Sequence, residues 1–182
     1  MEDKAKRYVI TGGPCCGKTT TIGLLKKIGF PVLNETAREV LNENKRRKNP
    51  RNFLEMEIEI FERQLEKEKS AKDSKIFMDR SALDALAYSK LMLEKIPEQF
   101  LNHDFSGKYD LIFLLEMLPF EKDSVRVEKD GKEAQKIHEE ICSAYLNRGY
   151  KPIIVPLLDK KERVDFILNQ IKKYENGNRN RS

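Results

Sequence analysis

The sequence predicts an α/β fold in which helices cover both faces of a five-stranded parallel sheet, a three-layer sandwich. Three observations carry this expectation. Short apolar runs alternate with longer segments of helical period, the pattern of successive β-α units. Each run is continuously apolar instead of alternating, as expected of strands buried on both faces. The chain has 182 residues, enough for one domain with a substantial core and too few for two comfortable ones.

The runs place strands at residues 8–11, 31–34, 75–79, 111–116 and 152–156. Between them, apolar stripes mark helices. Leu54, Ile58, Phe61 and Leu65 form one stripe, and Val164, Ile167, Leu168, Ile171 and Tyr174 form the last. Ala134, Ile137, Ile141 and Tyr145 form a third, which makes His138 a packed or surface helix residue ahead of a catalytic one. Residues 1–174 are expected to form a single domain, and the polar, glycine-containing stretch 175–182 to fray. No internal repeat or linker interrupts the chain.

Composition excludes several classes. Apolar residues are 39% and charged residues 36%, and the apolar runs recur throughout, so the chain should fold instead of remaining disordered. No stretch reaches the length of a membrane span, and nothing near Met1 has the form of a signal peptide. The three cysteines include the adjacent pair Cys15 and Cys16, unsuited to a disulfide framework, so a reducing cytoplasm is the expected setting. The net charge of +5 suits polyphosphate ligands as well as nucleic acid. The densest basic run, Lys45-Arg46-Arg47-Lys48, lies among asparagines before Pro50 and reads as a solvated loop.

Gly12-Gly13-Pro14-Cys15-Cys16-Gly17-Lys18-Thr19 satisfies the G-x-x-x-x-G-K-[ST] pattern in full. Glycines allow the backbone N–H groups of such a loop to converge on an anion, and the helix that follows, from Lys18, adds its N-terminal dipole. The strand at 8–11 and the apolar helix with Ile22, Leu24, Leu25 and Ile28, ended by Gly29, supply the strand-loop-helix setting. This loop, with Thr20, is expected to hold ATP. Lys18 would pair with the β- and γ-phosphates and the Thr19 hydroxyl would ligate Mg2+. A guanine-reading Asn/Thr-Lys-x-Asp motif is absent, since Asn44-Lys45-Arg46-Arg47 lacks the aspartate, which argues against a Ras-type GTPase.

Chemistry in open parallel sheets gathers beyond the carboxyl ends of the strands. Three strands run into carboxylates there: Glu35, Asp79 and Glu116. Beside a phosphate loop, such a set supplies a metal-holding acid and a base for an attacking hydroxyl.

Asp79-Arg80-Ser81 with downstream Ala87-Tyr88 resembles the corresponding segments of thymidylate and deoxyribonucleoside kinases. The wider pattern, with Glu35-Thr36-Ala37-Arg38 and Pro119-Phe120-Glu121-Lys122-Asp123-Ser124-Val125-Arg126, is similar to the AAA-type small-kinase family that includes ribosylnicotinamide kinases. The resemblance covers nearly the whole chain. It implies Glu35 as general base, Arg38 in the same pocket, Asp79 near magnesium and acceptor, and Arg80 as an acceptor-binding arginine. It also implies a lid at about 117–132 whose Arg126, assisted by Lys122 and Lys129, meets the transferring phosphoryl group. The segment from Phe53 to Gln64 carries no readable acceptor pocket of the thymidylate-kinase kind. A strand-end base favours a hydroxyl acceptor over a monophosphate.

The resulting expectation is an ATP-dependent, Mg2+-assisted small-molecule kinase acting on a nucleoside-like or other small hydroxyl acceptor. The alternatives are a slow nucleotide-hydrolysing switch and a kinase or NTPase directed at nucleic acid through residues 45–48.

Overall fold

The computed structural model describes residues 5–118 and 131–179. Strand β1 (Lys6–Thr11) lies at the centre of a five-stranded sheet and is followed by α1 (Lys18–Lys27), β2 (Val32–Leu33), α2 (Thr36–Lys45) and α3 (Phe53–Ser70). The chain continues through β3 (Lys75–Asp79), α4 (Ala82–Met92), a single turn α5 (Glu98–Leu101) and β4 (Leu111–Leu115). It closes with α6 (Gly131–Leu146), β5 (Ile153–Val155) and α7 (Lys160–Arg179). The strand order is β2-β3-β1-β4-β5 and every pairing is parallel.

All five expected strands form. The second is shorter than 31–34 because it is an edge strand. Pro31 has no N–H to give, and only its carbonyl joins the sheet, accepting from the Phe77 N–H at 3.0 Å. Along the central strands side chains alternate between two cores. Val9, Met78, Ile112 and Leu114 face α3, α4 and α6, whereas Tyr8, Ile10, Phe77, Phe113 and Leu115 face α1 and α7. Each large side chain buried this way contributes about 1.5–3 kcal/mol, so both helix layers are needed to hide the sheet.

The helical stripes behave unequally. Ile137, Ile141 and Tyr145 of α6 are fully buried, and Val164, Ile167 and Ile171 fix α7 on the sheet. In α3 the expected core stripe is displaced. Leu54 is 40% exposed, while the residues buried are Glu57, Ile60, Phe61, Gln64 and Glu68. The face of α3 turned inward is half polar, because part of it borders a cleft. The last helix runs past 174 to Arg179. Its Glu175 accepts from the Tyr8 hydroxyl at 2.8 Å and pairs with Lys75 at 2.6 Å, so this part of the expected tail is tied to the sheet.

A buried polar chain joins α6 to α4. The Leu83 N–H donates to Ser81 Oγ, the Ser81 hydroxyl lies 2.6 Å from that of Tyr145, and Tyr145 donates to Asp84 Oδ2 at 2.7 Å. Because the Tyr145 proton goes to Asp84, Ser81 is the donor of the middle link. Removing the phenolic group leaves the Ser81 hydroxyl without an acceptor and takes one donor from Asp84 in a dry interior. Tyr145→Phe should therefore lower stability by about 1–3 kcal/mol, seen as a lower urea midpoint with an unchanged m-value.

Candidate active site

β1 ends where the sheet order reverses, with β3 on one side and β4 on the other, and the glycine-rich loop emerges at that switch point. Gly12 (φ 134°) and Gly17 (φ 78°) adopt left-handed conformations, as does Cys15 (φ 57°). At Gly12 a Cβ would meet the Leu115 carbonyl at 2.8 Å, so no other residue fits. Lys18 Nζ reaches across the loop to the carbonyls of Gly12 (3.0 Å) and Gly13 (2.7 Å). The loop and the first turn of α1 form a cradle for polyphosphate, with Thr19 and Thr20 exposed at its mouth.

Two residues that the sequence did not single out for the loop brace it from outside. Arg163 of α7 donates to the Cys16 carbonyl at 2.9 Å and lies against Gly17, where a Cβ would touch its Nη1 at 2.5 Å. His138 of α6 is a packed histidine, and what it packs on is the loop itself. Its Nδ1 accepts from the Gly13 N–H at 3.1 Å. Burial, and after it the Lys18 charge, lower its pKa, in keeping with a neutral imidazole acting as acceptor.

Beyond the loop the cleft continues into a pocket between α2, α3 and α4, with a combined volume of about 530 Å3. Arg80 sits at the junction. Its backbone is left-handed (φ 70°), a strained state for a bulky side chain, and its N–H donates to the Ile10 carbonyl. Its guanidinium donates to Glu35 Oε1 (3.0 Å), to Asp84 Oδ1 (3.0 Å), to the Gly12 carbonyl (3.3 Å) and to the Tyr88 hydroxyl (3.3 Å). These contacts make it a clamp on Glu35 and the phosphate loop more than a free acceptor-binding arm. Asp84, which also accepts from Thr11 Oγ1 at 2.5 Å, escaped the sequence reading, although the spacing Ser81-x-x-Asp84 is that of the capping box observed at α4.

Glu35 occupies the N-cap position of α2 without a side-chain capping bond and lines the cleft with Arg38, whose Nε is 3.4 Å from Glu35 Oε2. Burial pushes the Glu35 carboxyl up, but Arg80, Lys18 and Arg38 together hold it below the usual carboxylate range. Asp79 behaves oppositely. Burial and the Glu35 charge raise its pKa to about 6 against the pull of Lys18 and Arg80, and its Oδ1 is buried without a hydrogen-bond partner. Asp79 does not line the cleft, yet the charges acting on it all do.

Other sequence expectations separate from this centre. Glu116 is exposed and accepts from the Leu157 N–H at 3.1 Å, apart from the cleft lining. Residues 45–48 are exposed, but Lys45 is the last residue of α2 and Arg46 its cap, so the basic run begins at a helix C-terminus, where cations complement the dipole, and not in a loop. Arg126, Lys122 and Lys129, and most of the expected lid at 117–132, lie outside the described residues. The stretch from Phe53 to Gln64, in which no acceptor pocket of the thymidylate-kinase kind is readable from the sequence, supplies one wall of the pocket between α2, α3 and α4, through Phe53, Glu57, Ile60 and Gln64.

A central phosphate loop, a 2-3-1-4-5 parallel sheet and a strand-end carboxylate-arginine pair define the P-loop nucleoside-kinase-like fold class. Consistent with this, a family model described as an AAA domain matches residues 7–163, and the chain belongs to that family. A comparison with curated protein sequences found no match. Among solved structures, NadR protein in complex with NR aligns at 21% identity with a TM-score of 0.66, covering 83% of this chain and 43% of NadR. NadR in complex with NAD and AMP-PNP aligns at 20% identity and TM-score 0.67. Deoxyadenosine kinase from M. mycoides, with dCMP and dCDP bound, aligns at 15% identity and TM-score 0.63 over 92% of this chain and 98% of that one. This chain thus spans under half of NadR and nearly all of the deoxyadenosine kinase fold.

The cleft yields a pH prediction. Burial raises the Glu57 carboxyl from 4.5 to about 8, with Arg80 opposing the shift. Between those values the folded chain holds a proton that the unfolded chain has lost, so folding stability falls as pH rises and levels off above about pH 8. Urea denaturation across that range should show Glu57→Gln flattening this decline, with the gain over wild type largest at the alkaline end.

Proposed function

We propose that the protein is an ATP-dependent phosphotransferase that moves the γ-phosphoryl group to a hydroxyl of a nucleoside-like or other small acceptor. The observation that carries this reading is the continuity of the cleft: phosphate cradle, Glu35 and Arg80 open into one space that extends into a half-apolar pocket of small-molecule size.

In this reading Gly12, Gly13 and Pro14 shape the loop, the backbone N–H groups of residues 15–20 bind the ATP phosphates, and Lys18 exchanges its carbonyl partners for the β- and γ-phosphate oxygens. Mg2+ fits the residues present. Thr19 and Asp79 would hold it, and the unpartnered Oδ1 of Asp79 is a ready acceptor for a metal-bound water. When bound, the ion neutralises charge on the β- and γ-phosphate oxygens.

Glu35 is held ionised by Arg80 and Arg38 and takes the proton from the acceptor hydroxyl. The acceptor oxygen forms its bond to the γ-phosphorus as the bond to the bridging oxygen breaks, and ADP leaves with that electron pair. A weak base suffices, because a loose transition state removes the hydroxyl proton late. Arg80, with four of its N–H donors engaged, acts chiefly by fixing the Glu35 carboxylate toward the cleft.

Glu35→Gln should lower kcat on the order of 10²-fold or more while ATP affinity stays nearly constant; unchanged turnover would remove Glu35 from the chemistry. A phosphotransfer screen with ATP and GTP as donors, against nucleosides, nicotinamide riboside, nucleoside monophosphates and short RNA, tests the whole reading. Transfer to a hydroxyl acceptor is the expected result. Slow hydrolysis indifferent to every acceptor would instead mark a nucleotide switch, and transfer only to RNA would mark a nucleic-acid enzyme.

A further inference from the structure

The acceptor end of the cleft is walled by Leu41 of α2, Phe53 and Ile60 of α3, and Ala85 and Tyr88 of α4. Such a surface holds a flat ring but does not choose among rings. Choice requires a polar group with unused hydrogen-bonding capacity.

Most polar groups along this wall are already committed. Gln64 Oε1 accepts from Thr36 Oγ1 at 2.5 Å, and Gln64 Nε2 donates to Glu68 Oε1 (3.2 Å) and the Arg80 carbonyl (3.4 Å). Asp84 is held by Thr11, Arg80, Ser81 and Tyr145. Ser81 is spent on Tyr145 and Leu83.

Glu57 is different. It lies on the cleft-facing stripe of α3, four residues after Phe53 and seven before Gln64, is only 6% exposed, and its Oε2 is buried with no hydrogen-bond partner. Nothing among the described residues uses this oxygen. A buried, unsatisfied carboxyl is a cost that packing alone would have removed.

We propose that Glu57 is the specificity-determining residue of the acceptor pocket, pairing with a planar group that offers an N–H donor beside a hydrogen-bond acceptor, such as a carboxamide or an amino-substituted ring nitrogen. This rests on the phosphotransferase reading for the identity of the pocket as an acceptor site. A neutral carboxyl has one O–H donor and a carbonyl acceptor side by side, the complement of that edge. Burial favours the neutral form at pH 7. An analogue lacking the N–H leaves a buried acceptor unpaired and is rejected.

Three nucleoside pairs isolate this contact: adenosine and purine riboside, cytidine and 2-pyrimidinone riboside, nicotinamide riboside and its 3-acetylpyridine analogue. Members of each pair differ in the N–H donor. Calorimetric titration of the protein with each should show at least one pair separated by about tenfold or more in Kd. Glu57→Gln, which keeps a donor and an acceptor, should retain that preference within a few-fold, and Glu57→Leu should collapse the ratio toward one. Thermal unfolding of Glu57→Leu should be unchanged or raised, because an unsatisfied group has been removed.

A preference that survives in Glu57→Leu, no preference in any pair, or a marked loss of thermal stability in Glu57→Leu would overturn the proposal, the last by making Glu57 a structural residue. Failure of the two readings is distinguishable. Pair discrimination that depends on Glu57 without any phosphotransfer would remove the kinase reading and leave the binding contact. Phosphotransfer indifferent to residue 57 would do the reverse.

Discussion

The arrangement of this protein turns on one buried cation. The Arg80 guanidinium joins the end of β3 to the cap of α2 through Glu35, to α4 through Asp84 and Tyr88, and to the phosphate loop through the Gly12 carbonyl. A buried arginine is tolerable only when its donors are engaged, and here four partners from three segments engage most of them. The left-handed backbone at residue 80 is part of the same bargain: the strain is held in place by the contacts that it makes possible. Fixing Glu35 and the loop to one group sets the distance between the two halves of the cleft.

Around this cation three carboxyl groups are driven apart by their surroundings. Glu35 is held ionised by three positive neighbours, Asp79 is pushed up to about 6, and Glu57, with Arg80 alone opposing burial, is pushed up to about 8. Identical functional groups are thereby prepared for different work within one small volume. That divergence is what acid-base and metal-assisted sites require.

Much of this was readable from local pattern. The phosphate loop has a motif because its geometry needs glycine at fixed offsets, and α1 forms over residues 18–27 as the motif implies. The strands were legible because burial on both faces leaves continuous apolar runs. Glu35, Asp79 and Arg80 were singled out because strand ends are where chemistry gathers, and of these Glu35 and Arg80 line the cleft. The pocket wall was not found, since its residues come from α3 at helical spacing and mix Phe53 and Ile60 with Glu57 and Gln64, a stripe that resembles neither a core face nor a polar face. The apolar-only stripe drawn through Leu54 missed it for that reason. His138 and Arg163 touch the loop from more than a hundred residues away, a relation that no local spacing encodes.

The contacts of Leu118 and His138 have a consequence in chain statistics. The Leu118 N–H donates to the Cys15 carbonyl at 2.8 Å, and His138, midway along α6, accepts from Gly13. Leu118 and His138 are thus both pinned to neighbouring residues of the phosphate loop. Loop-closure entropy depends on how far apart the ends of a segment are free to wander, and here the folded core has already brought them together. The cost of bringing residue 118 beside residue 138 is thus met by contacts to the phosphate loop itself.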